Sequence, residues 1–273
     1  MSRPLLAVDG DSFAHRAYHG LPKTTRRAGG RPAGALTGFG TMLLRLWEDE
    51  RPRAVLVGWD TLGAPTYRNE AFPAYQSGRE FDAELVEQLD LLPELVRALG
   101  FGSAKAAGYE ADDFLAAAAA STDGPVLVAT SDRDAFQLAS ERVTILQPTP
   151  GGGATARIGP AEVRERYGVE PAQVPDFIAL RGDPSDKLPG ARGIGAKRGA
   201  EVLAQYGSLE AALGAGRFAA EAEALRLYRR LAVLDASAPL PPLDGQTPRF
   251  GEGAAFAREL GLDRLADRLA ALA

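Results

Sequence analysis

Acidic residues follow three short apolar segments of this 273-residue chain, and their positions indicate a shared site. Residues 5–8 lead into Asp9, residues 54–59 into Asp60, and residues 126–129 lead through two hydroxyl residues to Asp132. Short apolar runs separated by helical patterns predict a parallel sheet, whose strands end at a common edge where ligands bind. One acid after a strand is usually a turn residue or a helix N-cap, but three such acids favour a site.

Further acids stand at the starts of predicted helices. Glu110, Asp112 and Asp113 open an alanine-rich helix that should run through residue 120. Capping and the helix dipole explain one or two acids at such a position, but not comfortably three. Asp134, with Asp132, repeats this pattern before another helix, and Asp183 and Asp186 form a further pair three residues apart.

Nine carboxylates can crowd together only if cations neutralise them. Two like charges about 4 Å apart repel by about 1 kcal/mol in bulk water and by about 4 kcal/mol at an effective dielectric constant of 20. The chain has no cysteine and only two histidines, His15 and His19, which excludes zinc fingers, iron–sulfur clusters and thiolate nucleophiles. Carboxylate sites favour Mg²⁺ or Mn²⁺, and two such ions about 4 Å apart can promote phosphodiester hydrolysis.

Composition and charge place the chain among ordinary globular proteins. It is 45% hydrophobic and 25% charged, with a net charge of −5 that by itself disfavours nucleic-acid binding. The charges are segregated, however: residues 12–47 contain no acid, and residues 181–198 contain five basic residues and two acids. No apolar run is long enough to span a bilayer and the N-terminus does not look like a signal peptide, so we expect a cytoplasmic protein.

A glycine-containing hairpin at residues 188–198 is the sharpest local signal. Gly193 and Gly195 precede a predicted helix whose first N–H groups would point outward as ligands for an anion. Lys197 and Arg198 lie in its first turn, where the helix dipole disfavours cations unless a phosphate is bound. The alternative is a tight helix–helix turn with solvated basic residues.

The remaining pattern predicts an α/β domain followed by a helical region. Helices are predicted over 34–48 and 83–99, an outer strand over 143–146, and a loop or hairpin over 151–153. Short helices should follow over 161–167, 173–181, 196–205, 209–213 and 218–234, then a proline-rich connector over 239–248 and helices over 254–260 and 262–272.

These motifs together resemble the 5′-nuclease or flap endonuclease family, in particular the free-standing relatives of the N-terminal 5′-3′ exonuclease domain of bacterial DNA polymerase I. The matching motifs are VDG at 8–10, GYEADD at 108–113, TSDRD at 130–134, GDPSDKLPG at 182–190 and GIGAK at 193–197. The resemblance implies a PIN-like α/β fold, in which helices flank a parallel central sheet. It also implies a helical arch at about 61–105 and a helix–three-turn–helix subdomain that binds duplex backbone. The expected domains are 1–168, 169–238 and a closing segment at 239–273.

The resemblance also assigns roles to individual residues. Two Mg²⁺ or Mn²⁺ ions are expected, and a K⁺ ion can sit at Gly193 and Gly195. Arg16, Arg79 and Lys197 are the expected catalytic cations. The expected metal ligands are Asp9, Asp60, Glu110, Asp112, Asp113, Asp132, Asp134, Asp183 and Asp186. The expected DNA contacts are Arg68, Tyr75, Gln76, Arg192, Gly193, Gly195, Lys197 and Arg198.

One departure concerns the arch, where Gln76 stands in place of the family's usual lysine. Tyr75 beside it can either stack on a base or serve packing.

The expected function is structure-specific 5′-3′ exonuclease and flap endonuclease activity in DNA replication and repair. The expected partners are branched or nicked DNA with a 5′ single strand, RNA–DNA junctions, and a DNA polymerase acting in trans, with no membrane. The protein is expected to be a monomer. Two alternatives remain. A non-catalytic flap-binding protein is suggested by Gln76, whereas a PIN-type ribonuclease is disfavoured by the hairpin.

Overall fold

A six-stranded sheet with the strand order β3-β2-β1-β4-β5-β6 forms the centre of the computed structural model, which describes residues 2–149 and 155–273. Strands β1 to β5 pair in parallel, and β6 joins the edge antiparallel to β5. This arrangement confirms the predicted α/β class. The strands are β1 Leu5–Asp9, β2 Ala54–Gly58, β3 Gly102–Ala104, β4 Val126–Ala129, β5 Val143–Pro148 and β6 Thr155–Ile158.

Helices cover both faces of the sheet, so the central strands are apolar at consecutive positions rather than at alternate ones. In β1, Leu5 and Ala7 pack on one face, and Leu6 and Val8 pack on the other. The helices on the Leu6 face are α1 Gly10–Gly20, α2 Gly34–Glu50, α4 Ala83–Ala98, α11 Phe250–Glu259 and α12 Asp263–Ala270. The helices that contribute to the hydrophobic cluster around Leu5 and Ala7, on the other face, are α5 Ala111–Ala120, α6 Pro160–Tyr167, α7 Val174–Arg181, α8 Ala196–Tyr206, α9 Leu209–Gly214 and α10 Ala222–Ala232. Among the described residues, no helix is long and apolar enough to cross a membrane.

The predicted elements are found with adjusted ends, and several others were not predicted. Helix α1 and strands β3 and β6 are additions, and the helix predicted over 218–234 is shortened. Phe218 takes a left-handed φ of 52°, a 3-10 turn covers 219–221, and α10 begins at Ala222. The loop or hairpin predicted over 151–153 lies outside the described residues.

The segment expected to form a helical arch is built differently. Helix α3, Tyr67–Ala71, is short, and residues 73–78 form turns. The longer helix α4 does not stand away from the body of the protein, because Leu85, Leu89 and Leu92 are buried in the core against the sheet. The part of the segment that carries Gln76 and Arg79 is therefore not helical.

A connection between α7 and α8 joins the sheet edge to the predicted hairpin. Its close turn needs glycine twice: Gly182 and Gly190 both have positive φ, and a Cβ on either would lie within 3 Å of the other strand of the turn. Asp183 bonds in both directions with Leu188 across this turn. This closed turn therefore fixes the backbone that links the acids at 183 and 186 to the basic residues at 192–198.

A buried ion pair ties this layered structure together beside the sheet edge. Arg68 of α3 donates two hydrogen bonds to Asp113 of α5, at 2.8 and 2.7 Å, and a third to the carbonyl oxygen of Leu231. Asp113 also accepts the backbone N–H groups of Glu110 and Asp235. Arg68 is only 1% exposed and Asp113 is fully buried, so each charge depends on the other.

We expect Asp113→Asn to lower the free energy of unfolding by about 3–5 kcal/mol, because it removes the fully buried carboxylate that accepts two hydrogen bonds from Arg68 and leaves only Glu110 as a counter-charge. Urea unfolding followed by circular dichroism measures this, with the exposed Asp123→Asn as the control. A loss below about 1 kcal/mol would show that the pair does not hold α3 against α5.

Candidate active site

An open cavity of about 640 Å³ lies at the carboxyl ends of the strands. Seven of the nine predicted acids line it, and the structure therefore brings together side chains from five separate parts of the chain. These seven are Asp9, Asp60, Glu110, Asp112, Asp132, Asp134 and Asp183.

Backbone geometry at the strand ends aims these carboxylates into the cavity. Asp9 ends β1 and caps α1, accepting the N–H of Ser12 at 2.9 Å and the hydroxyl of Thr130 at 2.7 Å. Asp60 follows β2 and accepts the N–H of Ala111 at 2.8 Å, which joins it to the start of α5. The predicted shared edge is thus held by hydrogen bonds between neighbouring strand ends and helix starts.

Asp11 is a cavity residue that the sequence interpretation missed. It is buried on the first turn of α1, and its Oδ2 accepts the backbone N–H of Asp60 at 2.7 Å. The available signal was its position two residues after Asp9, in a segment whose helical form was not predicted. Asp11 therefore adds an eighth carboxylate to the cavity and ties α1 to the end of β2.

Burial and mutual repulsion raise the pKa values of these carboxyl groups. Burial, with the charges of Asp60 and Asp132, raises the pKa of Asp9 from 3.8 to about 7. Burial, partly offset by Arg68, raises the pKa of Glu110 from 4.5 to about 7. Burial and the charges of Asp9 and Asp132 raise the pKa of Asp112 well above its usual range. The cavity therefore resists ionisation unless cations enter it.

The donor set fits hard divalent cations. Oδ1 of Asp112 is buried without a hydrogen-bond partner among the described residues, which is the state expected of an oxygen reserved for an ion. Carboxylate oxygens are the ligands that Mg²⁺ and Mn²⁺ prefer. Across residues 2–149 and 155–273, no three acidic or histidine side chains are already arranged to hold an ion. Metal binding would therefore require these side chains to rotate inward.

Two of the nine predicted acids do not line the cavity. Asp113 is committed to Arg68 and to two backbone N–H groups, so its oxygens are occupied and we no longer assign it as a metal ligand. Asp186 lies beside the cavity, where its Oδ1 accepts the Gln76 side-chain amide at 2.8 Å and lies 3.5 Å from Arg79.

The residues expected to contact DNA around position 75 need a similar correction. Tyr75 is 3% exposed, and its hydroxyl donates to Glu110 at 3.2 Å, so it cannot stack on a base in this conformation. Arg68 is buried in its ion pair and is likewise inaccessible to DNA. Gln76 and Arg79, by contrast, both line the cavity, and Arg79 donates to the Gln76 side chain at 2.6 Å.

The other two expected catalytic cations lie outside the cavity lining. Arg16, on α1, is half-buried and donates to the carbonyl oxygen of Thr149. Lys197 is exposed in the first turn of α8. The cavity is also lined by side chains to which the sequence assigned no catalytic, metal-binding or DNA-binding role: Ser12, His15, Phe81, Ser131, Arg133, Arg181 and Ser185.

The hairpin presents a basic, open helix start. Gly193 has a φ of 74°, and Gly195 caps α8 with no side-chain cap hydrogen bond. Arg192, Lys197 and Arg198 are all exposed there. Free N–H groups at a helix N-terminus with adjacent cations provide the groups that bind a phosphate.

Comparison with known proteins agrees with this geometry. Residues 4–168 match the family model of the 5′-3′ exonuclease N-terminal resolvase-like domain, and residues 169–247 match that of the 5′-3′ exonuclease C-terminal SAM fold. The chain is 37% identical over 218 residues to a 5′-3′ exonuclease of Streptomyces coelicolor, covering 75% of this chain and 72% of that one. It is 41% identical over 210 residues to DNA polymerase I of Mycobacterium tuberculosis, covering 75% of this chain but only 23% of the polymerase.

Solved structures share the fold. The flap endonuclease of bacteriophage T5, in a complex with DNA and metal ions, superposes with a TM-score of 0.72 at 21% identity, covering 98% of each chain. The catalytic core of Rad2 with a DNA substrate superposes with a TM-score of 0.62 at 16% identity, covering 98% of this chain and 93% of that one. The fold is therefore the PIN-like one expected. With both family models matched in order along the sequence, this chain is a member of the 5′-3′ exonuclease family.

Proposed function

We propose that this chain is a structure-specific, divalent-metal-dependent 5′-nuclease that hydrolyses phosphodiesters at the 5′ flaps and ends of DNA. The observation that carries the proposal is the cavity itself. Eight carboxylates from strand ends, helix starts and loops line it, and Asp112 offers a buried oxygen with no hydrogen-bond partner among the described residues. Such a donor set suits two Mg²⁺ or Mn²⁺ ions.

The proposed chemistry divides between the acids and the cations of the cavity. Asp9, Asp60 and Asp112 would hold the ions, with Asp132, Asp134, Asp183 and Glu110 completing the set. When bound, the two ions would supply an activated water and stabilise the leaving oxygen. Arg79 reaches the cavity beside these acids and is placed to contact the scissile phosphate, where a fixed guanidinium lowers the cost of developing charge.

Duplex binding is proposed for the hairpin. The start of α8 with Arg192, Gly193, Gly195, Lys197 and Arg198 is suited to hold backbone phosphates without reading sequence, and a K⁺ ion could be held by the same turn. Because the connection after α7 carries both Asp183 and this hairpin, the distance from bound duplex to cavity is set by a short, tightly turned segment. We propose residues 169–238 as the duplex-binding subdomain.

The relatives suggest a setting for this activity. The chain spans about a quarter of the length of the DNA polymerase I relatives that it matches. We therefore propose that a DNA polymerase acts with it in trans, that it also cleaves RNA–DNA junctions, and that it works as a monomer near the nucleoid.

A cleavage assay tests the proposal. Wild-type protein is mixed with an end-labelled 5′-flap duplex, a nicked duplex and a single strand, in Mg²⁺ and separately in EDTA. We expect Mg²⁺-dependent cleavage with preference for the flap and the nick. Equal cleavage of the single strand, or cleavage in EDTA, would overturn it.

A non-catalytic flap-binding role is the second candidate, and the Gln76 contacts favour it. The neutral amide bonds to Asp186 at 2.8 Å, at the position where the family's usual lysine would supply a positive charge. Tight flap binding in Mg²⁺ with no cleavage would establish this role in place of the first.

The raised carboxyl pKa values predict that metal stabilisation grows with pH. Because burial raises the pKa of Asp9 and of Glu110 to about 7, these groups favour the folded state when protonated, and this stability is lost as the pH rises from about 4 to about 7. Bound Mg²⁺ competes with those protons and removes the repulsion. We expect Mg²⁺ to raise the melting temperature more at pH 8 than at pH 5.5, by differential scanning fluorimetry against EDTA. A shift that does not change with pH would contradict the site.

Asp112→Asn should separate binding from catalysis. Removing even a residue that only supports a metal ligand typically lowers metal affinity or activity by about 10–100-fold. For the direct ligand Asp112 we therefore expect Mg²⁺-dependent cleavage to fall at least about 100-fold. Flap affinity in EDTA should stay equal or rise, because one buried negative charge is removed. The control is the exposed Asp123→Asn, which should match the wild type. Undiminished cleavage by Asp112→Asn would remove this residue from the metal site.

Lys197→Ala should weaken binding to all DNA sequences alike. Loss of one phosphate contact reduces the slope of log K against log salt by about one counterion. The measurement is duplex binding by fluorescence anisotropy over a salt series for two unrelated sequences. Arg264→Ala, an exposed cation on α12, is the matched control. A loss confined to one of the two sequences would argue against a backbone contact.

A further inference from the structure

One aromatic side chain lies at the cavity without a packing role in the core. Phe81 lines the same cavity as the carboxylates. With 37% of its surface exposed, it is the one large hydrophobic residue that is solvent-exposed in the part of the chain that the structure describes. Within that part of the chain it belongs to neither of the two hydrophobic clusters that cover the sheet. A single exposed apolar residue is ordinary on a protein surface, so it is the location of Phe81 that requires an explanation.

The ring of Phe81 contacts one neighbouring aromatic ring, and part of its surface stays exposed to solvent. It meets the His15 ring in an edge-to-face contact, with 5.5 Å between centroids and 63° between planes. A contact of this kind with one ring can cover no more than one face of the phenyl group. His15 lies on α1, which is packed in the core, so a rigid element holds Phe81 at the cavity.

The neighbours of Phe81 suit a nucleotide. Arg79, two residues earlier, lines the same cavity with a guanidinium, which is a phosphate ligand. A strand whose phosphate reaches the acids and Arg79 must place an attached sugar and base near the cavity wall. An exposed phenyl face beside a phosphate site matches the platforms on which proteins stack unpaired bases.

We infer that Phe81, oriented by His15, is a stacking platform for an unpaired nucleobase next to the phosphate held in the cavity. This inference rests on the proposed nuclease function and adds a subsite to it. It assigns to Phe81 the base-stacking role that Tyr75 cannot perform, because Tyr75 is buried and bonded to Glu110. Every base offers a π face, so the subsite would accept any sequence.

The test pairs protein variants with damaged substrates. A set of labelled 5′-flap duplexes is prepared, each with an abasic analogue at one of the nucleotides beside the branch. The affinity of the protein for each duplex is measured in EDTA by fluorescence anisotropy. The proteins are the wild type, Phe81→Ala, Phe81→Leu, which keeps an apolar side chain without a ring, and Phe81→Trp, which keeps a stacking ring. Thermal unfolding confirms that each variant is folded.

On the intact flap, we expect Phe81→Ala and Phe81→Leu to weaken binding about 5-fold to 150-fold, and Phe81→Trp to bind like the wild type. For one of the abasic flaps, the affinity of the wild type should fall by a similar factor. Phe81→Ala should bind that flap as well as the wild type does, because the base that stacks on the ring is already missing.

Equal affinity of Phe81→Leu and wild type, or penalties that multiply at every abasic position, would overturn the stacking role. Cleavage of the intact flap in Mg²⁺ is measured in parallel. If the wild type cleaves and the penalties still multiply, only the subsite fails. If the wild type neither binds nor cleaves flaps, the proposed function fails and the subsite with it.

Discussion

Electrostatic repulsion among buried carboxylates is the constraint on which this structure depends. The sheet delivers acids from several strand ends into one cavity, and burial raises the pKa values of Asp9, Asp112 and Asp134 above their usual ranges. A globular core could avoid this cost by placing neutral residues at these positions. The acids instead destabilise the metal-free protein at neutral pH, a cost that is consistent with a role in binding divalent cations.

The surrounding structure restrains this charge without cancelling it. Arg68 is buried beside the cavity and neutralises Asp113 and part of Glu110, which joins α3, α5 and the end of α10. Arg79 lines the cavity from a non-helical segment that directly follows the turns at 73–78. The cavity retains acids that these cations do not pair. The connection from α7 to α8 links the cavity acid Asp183 to the basic hairpin through a short, closed turn.

The sequence predicted what short-range patterns encode. Apolar runs that end in acids located β1, β2 and β4 and their shared edge, and the glycines and cations at 193–198 located the exposed start of α8. It could not separate Asp112 from Asp113. Neighbouring residues on a helix point about 100° apart, and only the packing of α3 decides which one meets Arg68 and which one faces the cavity. Burial of Tyr75 and exposure of Phe81 depend on the same long-range packing. Asp11 was missed because α1 begins directly at β1 and carries little of the leucine pattern that marked the other helices.

The number of divalent ions bound by the chain tests this account most directly. Free Mn²⁺ can be measured by electron paramagnetic resonance while the metal is titrated into wild-type protein and into Asp112→Asn at neutral pH without DNA. The account predicts two ions per wild-type chain, released when the pH falls below the raised pKa values, and weaker or fewer ions in Asp112→Asn. Wild-type protein that binds no Mn²⁺, or that binds it identically in Asp112→Asn and without any dependence on pH, would contradict it.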